Sequence, residues 1–415
     1  MRVLLLGSGG REHAIARALR RDPAVTMLHC GPGNAGTADI AENHVLDPTD
    51  PVAVVELAKR LRPELIVIGP EAPLIAGVGD AVRQNGFPCF GPDAAAAQIE
   101  GSKAFAKDLM AAAKMPTAAA RVCDSAAEVA AALEEFGPPY VVKDDGLAAG
   151  KGVVVTLDRD VAERHAASCG RVVVEAYLDG PEMSLFALSD GEHAVPLLPA
   201  QDFKRAYDND EGPNTGGMGA YTPLPWAPDG LVDEVMATVV RPAIAELARR
   251  ETPYSGVLYA GLALTAQGVR VVEFNARFGD PETQVVLDRL ATPLSGLLQE
   301  CALGGLAPGT VVEWHPGAAV AVVVAAENYP AGPVKGDPIA GIDEAEQVPG
   351  AYVLHAGTRR DHDGILMSNG GRVLNVVGTG PDLAAARSTA YEAAARIRMR
   401  GAHYRTDIAA KAAAP

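Results

Sequence analysis

Two thirds of the way along the chain, Val271-Val272-Glu273-Phe274-Asn275 has the composition of a strand. Side chains alternate in a strand, so Glu273 and Asn275 share one face while Phe274 turns into a core. Two oxygen donors on one face suit Mg²⁺, which takes few protein ligands and completes its octahedron with water and phosphate oxygens. Arg277 follows at once, and then Asp280-Pro281-Glu282. Taken alone, Glu-x-Asn on an exposed strand is more often plain solvated surface.

A second signal is the run Gly146-Leu147-Ala148-Ala149-Gly150-Lys151-Gly152, between the apolar segments Tyr140–Lys143 and Val153–Thr156. It is not a Walker A loop, because Gly-Lys-Gly stands where Gly-Lys-Ser/Thr is needed and a strand follows instead of a helix. A glycine loop between strands, with Lys143 before it and Lys151 inside it, suits closure over a triphosphate. By itself it is as much a mobile hairpin. Glu175-Ala176-Tyr177-Leu178 leaves a strand and reaches Glu182, offering backbone groups to an adenine edge and a carboxylate to ribose hydroxyls. An ordinary acidic strand end satisfies the same pattern. Finally, Gly7-Ser8-Gly9-Gly10-Arg11-Glu12-His13 follows a short apolar run. Glu12 stands where a dinucleotide fingerprint needs its third glycine, so nicotinamide binding is disfavoured. Exposed N–H groups at a helix start still cradle a phosphate.

The elements around these residues fall into three units. Over the first hundred residues, all-apolar runs such as Leu65–Ile68 alternate with helical spacing, which predicts a doubly wound parallel sheet. Its glycine turns, Gly7–Gly10, Gly31–Gly36 and Gly69–Glu71, fall at strand carboxyl ends, where such sheets bind ligands. The middle is mixed: a capping box at Ser125-x-x-Glu128, a strand Val172–Tyr177, a long loop over 201–228, a helix from about Asp229 to Arg250, and strands Gly256–Leu264 and Val269–Asn275. The last hundred residues read as hairpins closed by an Ala-rich helix near Leu383–Arg398. The formal charge of −16 argues against nucleic acid or anionic membranes as partners. The longest unbroken apolar run, Ala318–Ala326, falls short of the roughly 20 residues a membrane span needs. Five scattered cysteines show no metal spacing, so a cytoplasmic protein is expected.

The order of a phosphate lysine, a glycine lid, an acidic strand exit and a Glu-x-Asn strand resembles the ATP-grasp superfamily. The resemblance narrows to the phosphoribosylamine–glycine ligase family, and it spans essentially the whole chain. It is carried by Leu6–Ala14, Pro32–Gly36, Gly69–Leu74, Gly101–Phe105, Asp145–Val153, Gly212–Tyr221, Glu273–Thr283, Ser368–Leu374 and His403–Ile408. Asp144 and Phe203 stand where the family pattern expects Ala and His.

The resemblance implies an N-terminal Rossmann-like substrate domain over 1–101, an ATP-grasp domain of two α+β subdomains over 102–315 with its lid at about 118–185, and a small C-terminal α+β domain over 316–415. It implies that glycine is joined to 5-phospho-β-D-ribosylamine through glycyl phosphate. The small-molecule partners are then ATP, glycine and phosphoribosylamine, with Mg²⁺ or Mn²⁺, in a monomer or weak homo-oligomer. Carried onto this chain, Arg277 and Lys143 are catalytic, and Glu273 and Asn275 hold the metal. Lys103, Lys143, Gly150, Lys151, Gly152, Glu175, Tyr177, Leu178 and Glu182 bind ATP. Gly9, Gly10, Arg11, Glu12, Asp202, Gly217, Asp280 and Pro281 bind the other substrates.

Overall fold

In the computed structural model, residues 1–147 and 152–414 are described. The chain opens on β1 (Arg2–Gly7), α1 (Gly10–Arg21), β2 (Met27–Pro32), β3 (Glu42–Asn43), α2 (Pro51–Leu61), β4 (Leu65–Ile68), α3 (Glu71–Ile75), α4 (Val78–Gln84) and β5 (Cys89–Phe90). These strands form the expected parallel sheet, in the order β3-β2-β1-β4-β5. Val3–Leu6 and Leu65–Ile68 are buried on both faces, which is why both read as unbroken apolar runs. Asp50 starts α2 by accepting from the Val52 and Ala53 N–H groups, with Pro51 at the first helical position. At the carboxyl edge, Gly33 N–H donates to Gly7 O and Gly69 N–H to Leu6 O, so the three glycine turns are laced together.

After α5 (Ala94–Gly101) and α6 (Lys103–Ala112), the elements β6 (Ala120–Cys123), α7 (Ala126–Phe136), β7 (Tyr140–Asp144), β8 (Val153–Thr156), α8 (Arg159–Ser168) and β9 (Val172–Glu175) build a small unit. Its sheet runs β6-β9-β7-β8 with antiparallel pairing. It has a core of its own, including Val129, Leu133, Val142 and Val174. The capping box at Ser125 and Glu128 is present. Strand β9 stops at Glu175, two residues short of the expected end, as the chain turns toward Gly180 at φ +146° and Pro181.

Next come β10 (Glu182–Asp190), β11 (Ala194–Pro196), β12 (Gln201–Asp202), β13 (Arg205–Tyr207), β14 (Glu211–Asn214), β15 (Gly219–Thr222), α9 (Leu231–Val235), α10 (Arg241–Arg249), β16 (Ser255–Thr265), β17 (Gly268–Asn275), α11 (Glu282–Arg289) and α12 (Leu294–Leu303). A second antiparallel sheet, β11-β10-β16-β17, faces the first across a cleft. The helix read over 229–250 is split by a π-turn at Met236–Val240. Pro242 has no N–H for the preceding turn, and the wider turn absorbs that loss.

The last unit contains β18 (Ala318–Ala325), α13 (Ile342–Glu346), β19 (Ala351–His355), β20 (Thr358–Arg360), β21 (Leu366–Ser368), β22 (Arg372–Gly380) and α14 (Leu383–Ala394). Its sheet is β12-β15-β18-β22-β19. Two strands of the supposed loop over 201–228 therefore lie in this sheet. They are two and four residues long, and β15 finds its partner β18 almost a hundred residues later, so no local pattern marks them. Gly219 makes the pairing possible, since a Cβ there would stand 2.6 Å from Ala321 O. The closing helix ends at Ala394 rather than near Arg398. Among the described residues, no helix is long and apolar enough to cross a membrane.

Candidate functional site

The two antiparallel sheets and the carboxyl edge of the parallel sheet enclose a cleft of about 2250 Å³. Lys103 enters it from the first turn of α6. Ser102 caps that helix by accepting from Phe105 N–H at 3.1 Å, and its hydroxyl donates to Asp145 at 2.9 Å. Ala104 N–H donates to the same Asp145 oxygen at 3.0 Å, and the Lys103 ammonium donates to Gly146 O at 3.0 Å. The start of the glycine loop is thus pinned to the start of α6. Gly152, at the far end of the loop, also lines the cleft. Gly150 and Lys151 lie outside the described residues.

Lys143 rises from β7 on the opposite wall. Its ammonium lies 3.1 Å from Glu175 Oε2 and donates to Val272 O at 2.9 Å. Lys107 approaches the same Glu175 oxygen at 3.2 Å. Burial pulls the pKa of Lys103 down, with Glu273 opposing it, and that of Lys107 down, with Glu175 opposing it. Tyr177 and Leu178 carry the backbone along the mouth of the cleft outside any sheet. At the next turn Glu182 pairs with Lys204 at 2.6 Å, and Lys204 holds its carboxyl below the ordinary range.

Glu273 and Asn275 share the cleft-facing side of β17, as strand alternation requires. Arg277 is fixed by Glu100 at 2.9 Å and Glu71 at 3.2 Å, and its Nη2 reaches Asn275 Oδ1 at 3.4 Å. Burial alone would lower the Arg277 pKa, but Glu100, Glu71 and Glu282 outweigh it and raise it. Nearby, buried Glu282 accepts from Ser184 Oγ at 3.0 Å, and that hydroxyl bonds Tyr259 OH at 2.8 Å. Burial pushes Asp202 up to about 7 against the pull of Lys204, and Glu282, Glu182 and Glu273 add to the rise. The donors around Glu273 are hard oxygens in carboxylate excess, a set that fits Mg²⁺ or Mn²⁺.

At the parallel-sheet end, Gly9 N–H donates to Glu12 Oε2 at 2.6 Å, closing the first turn of α1. Arg11 pairs with Glu12 and donates Nη1 to Phe278 O at 3.0 Å, while its N–H donates to Asp280 Oδ2 at 3.3 Å. Asp280 Oδ1 accepts from Gln284 Nε2 at 2.7 Å, and Arg372 approaches it at 3.4 Å. Burial would raise the Asp280 pKa, and Arg372 and Arg11 overcome it and lower it. Arg372 also donates to Gly216 O at 2.6 Å, tying the 216–219 loop to Asp280. Gly217 has φ +110°, and a Cβ there would collide with Pro281.

One cleft therefore gathers Arg11, Lys103, Lys143, Gly152, Glu175, Tyr177, Leu178, Glu182, Asp202, Glu273, Asn275, Arg277 and Asp280. Gly9, Gly10, Glu12, Gly217 and Pro281 are not among its lining residues, and the buried Glu12 carboxylate is already occupied by Gly9 and Arg11. Sequence reasoning missed Glu71, Glu100, Lys107, Lys204, Glu282 and Arg372 as lining residues. Glu71, Glu282 and Arg372 stood inside quoted motifs. Glu100 and Lys107 lie on helices whose patterns show only amphipathicity, and Lys204 lay in what read as loop.

Comparison with known proteins gives three family matches in chain order. They are the phosphoribosylglycinamide synthetase N domain over residues 1–100, its ATP-grasp (A) domain over 101–283 and its C domain over 319–411. A phosphoribosylamine–glycine ligase of Streptomyces coelicolor is 63% identical over 415 residues, covering 100% of both chains. The crystal structure of a phosphoribosylamine–glycine ligase from Thermotoga maritima superposes with a TM-score of 0.84 at 34% identity, covering 98% of this chain and 100% of that one. The biotin carboxylase domain of Hydrogenobacter thermophilus 2-oxoglutarate carboxylase, in complex with MgADP and bicarbonate, reaches 0.73 at 17% identity, covering 97% and 91%. That last likeness is one of fold alone.

Proposed function

Because the chain belongs to the phosphoribosylamine–glycine ligase family, we propose that this cleft carries out the ligation and divides it among the residues described above. The activity is an ATP-dependent carbon–nitrogen ligation of purine biosynthesis. A glycine carboxylate oxygen attacks the γ-phosphorus of ATP, and ADP leaves. The amine of 5-phospho-β-D-ribosylamine then attacks the acyl carbon of glycyl phosphate. Phosphate departs, the nitrogen loses a proton, and glycinamide ribonucleotide results. A carboxylate is a poor electrophile, so phosphorylation supplies the leaving group. The protein's tasks are positioning, charge neutralisation and exclusion of water.

The observation that carries the reading is the convergence of Glu273, Asn275 and Arg277 with Lys103 and Lys143 in one cleft. Lys103 and Lys143 contact the ATP phosphates. The backbone of Glu175–Leu178 faces adenine and Glu182 the ribose. Glu273 and Asn275 hold Mg²⁺ or Mn²⁺, which ATP-grasp enzymes generally require with ATP and which neutralises phosphate charge when bound. Arg277, kept charged and in place by Glu71 and Glu100, faces the transferring phosphoryl group. Asp202 and the Gly216–Gly219 loop line the glycine pocket. The Gly9–Glu12 turn, with Asp280 and Pro281, shapes the phosphoribosylamine end.

The reading is of a cytoplasmic monomer or weak homo-oligomer acting on small molecules, with no nucleic-acid or membrane partner. The net charge of −16 supports the exclusion of polyanions. The division of the cleft is tested by Gly9→Val, whose Cβ would press on Glu12 Oε2 at 2.8 Å. It raises the KM for phosphoribosylamine about tenfold or more and leaves that for ATP unchanged. Equal effects on both substrates would remove phosphoribosylamine from the first glycine turn.

A further inference from the structure

We propose that His29, Glu42 and His44 form a binding site for a divalent ion of the zinc class, at the edge of the parallel sheet and separate from the catalytic cleft. His29 Nδ1 and His44 Nε2 face each other at 3.0 Å. Glu42 closes the triangle, with Oε2 at 3.4 Å from His29 Nδ1 and Oε1 at 3.8 Å from His44 Nε2. In a tetrahedral zinc site with bonds near 2.0–2.1 Å, neighbouring donor atoms stand about 3.4 Å apart. Glu42 turns a different oxygen to each imidazole, so the donors stand close to three corners of such a tetrahedron. Rotation of the exposed carboxyl brings one oxygen onto an ion shared with both nitrogens. Glu42 is largely exposed, so the group is open to an ion from solvent on that side.

The backbone sets this arrangement. In the parallel pair β2 and β3, His29 is in register with Glu42, so the two side chains leave the same side of the sheet. His44 N–H donates to Cys30 O at 2.8 Å, which returns the second imidazole to the first. His29 is buried, leaving one donor fixed in the protein and two others near the surface. Two imidazole nitrogens and one carboxylate are the donors that zinc prefers. Among the described residues the catalytic cleft is lined by no His or Cys, so it offers a metal the oxygen donors that Mg²⁺ prefers, and the two sites select different ions.

An ion here would fasten more than two strands. Asn43, between two of the ligands, donates to Asn34 O at 2.8 Å and accepts from Thr37 Oγ1 at 3.0 Å. The Asn34 side chain in turn donates to Ser8 O and to His355 O, each at 2.9 Å. The site is thus linked through one loop to the first glycine turn and to the C-terminal unit.

The test uses the full chain, stripped with a chelator and titrated with Zn²⁺ by calorimetry in saturating Mg²⁺. One equivalent binds, and the melting temperature rises with occupancy. His44→Ala and Glu42→Gln each weaken binding by more than about tenfold. His362→Ala does not, although it breaks the Asp361–His362–Asp363 group, which lies along a single exposed turn. Co²⁺ in place of Zn²⁺ gives d–d bands without a thiolate charge-transfer band. ADP release in Mg²⁺ alone is unchanged in His44→Ala. Absence of saturable Zn²⁺ binding in Mg²⁺, or full binding by both His44→Ala and Glu42→Gln, would overturn the proposal. A thiolate band would overturn it too, by moving the ion to a cysteine.

Discussion

Lys143 and Lys107 share a single carboxylate oxygen, Glu175 Oε2, at 3.1 and 3.2 Å. The three side chains are at most one-tenth exposed, so each lysine depends on Glu175 for its counter-charge. Removing one partner of a buried ion group leaves uncompensated charge and costs about 3–5 kcal/mol. Glu175→Ala is therefore expected to lower the urea-unfolding free energy by about that amount. Glu175→Gln keeps the volume and is expected to be less destabilising, with a raised KM for ATP, because Lys143 loses its anchor. Wild-type stability in Glu175→Ala would show that water already compensates the two ammoniums.

Glu273 has a different standing. It faces the cleft from β17 as a proposed metal ligand, while Phe274 beside it fills the core. Glu273→Ala is expected to reduce kcat on the order of 10³-fold, the loss of several kcal/mol of charge stabilisation, with the melting temperature retained. Asn275→Ala is expected to fall short of that loss. Near-normal turnover by Glu273→Ala would take it out of the metal site.

Asp202 supplies a pH dependence. Its folded-state pKa is pushed up to about 7 from an ordinary 3.8, first by burial and then by Glu282, Glu182 and Glu273, against Lys204. A raised acid holds its proton more tightly when folded. Its contribution to stability is complete below pH 3.8 and is lost as pH rises through about 7. Asp202→Asn, which cannot ionise, should therefore gain stability relative to the wild type across that window. If the ionised carboxylate holds the glycine ammonium, the wild-type KM for glycine falls roughly tenfold per pH unit on approaching pH 7 from below. The Asn variant shows a raised, flat KM. A parallel pH profile in both would remove Asp202 from glycine binding.

Gly217 tests the loop that Arg372 ties to Asp280. Its φ of +110° lies in the region only glycine occupies without strain, and a Cβ would collide with Pro281. Gly217→Ala is expected to cost about 1–3 kcal/mol of stability, read by thermal unfolding. It should also raise the KM for glycine, by displacing the wall between the loop and Asp280.

The parallel sheet was legible because its two central strands are contiguous apolar runs ended by glycine, Val3–Leu6 before Gly7 and Leu65–Ile68 before Gly69. The cleft residues on β17 were legible for a similarly local reason, since alternation alone puts Glu273 and Asn275 together. What escaped were pairings that local pattern does not encode. Strand β15 meets β18 from almost a hundred residues away, and the four short strands β12 to β15 were read as loop. Glu100 reaches Arg277 across 177 positions, and nothing around it in the chain marks it as a partner. The π-turn before Pro242 was hidden because an unbroken helix and a widened one have nearly the same apolar spacing.

Phe203, too, finds its explanation only in three dimensions. Its ring lies 4.9 Å from the Arg405 guanidinium carbon and 6.2 Å from the Tyr221 ring. It serves there as an aromatic seat for a fully buried arginine.

The most direct measurement is ADP release in a coupled assay with ATP, Mg²⁺, glycine and freshly generated phosphoribosylamine, each omitted in turn. A ligase working in this cleft turns over only in the complete mixture, and Arg277→Lys, which keeps a positive charge beside Glu100 and Glu71, cuts the signal sharply while the chain stays folded. Equal ADP release without phosphoribosylamine, or with an unrelated amine in its place, would contradict the assignment of the acceptor and leave only an ATP-using fold.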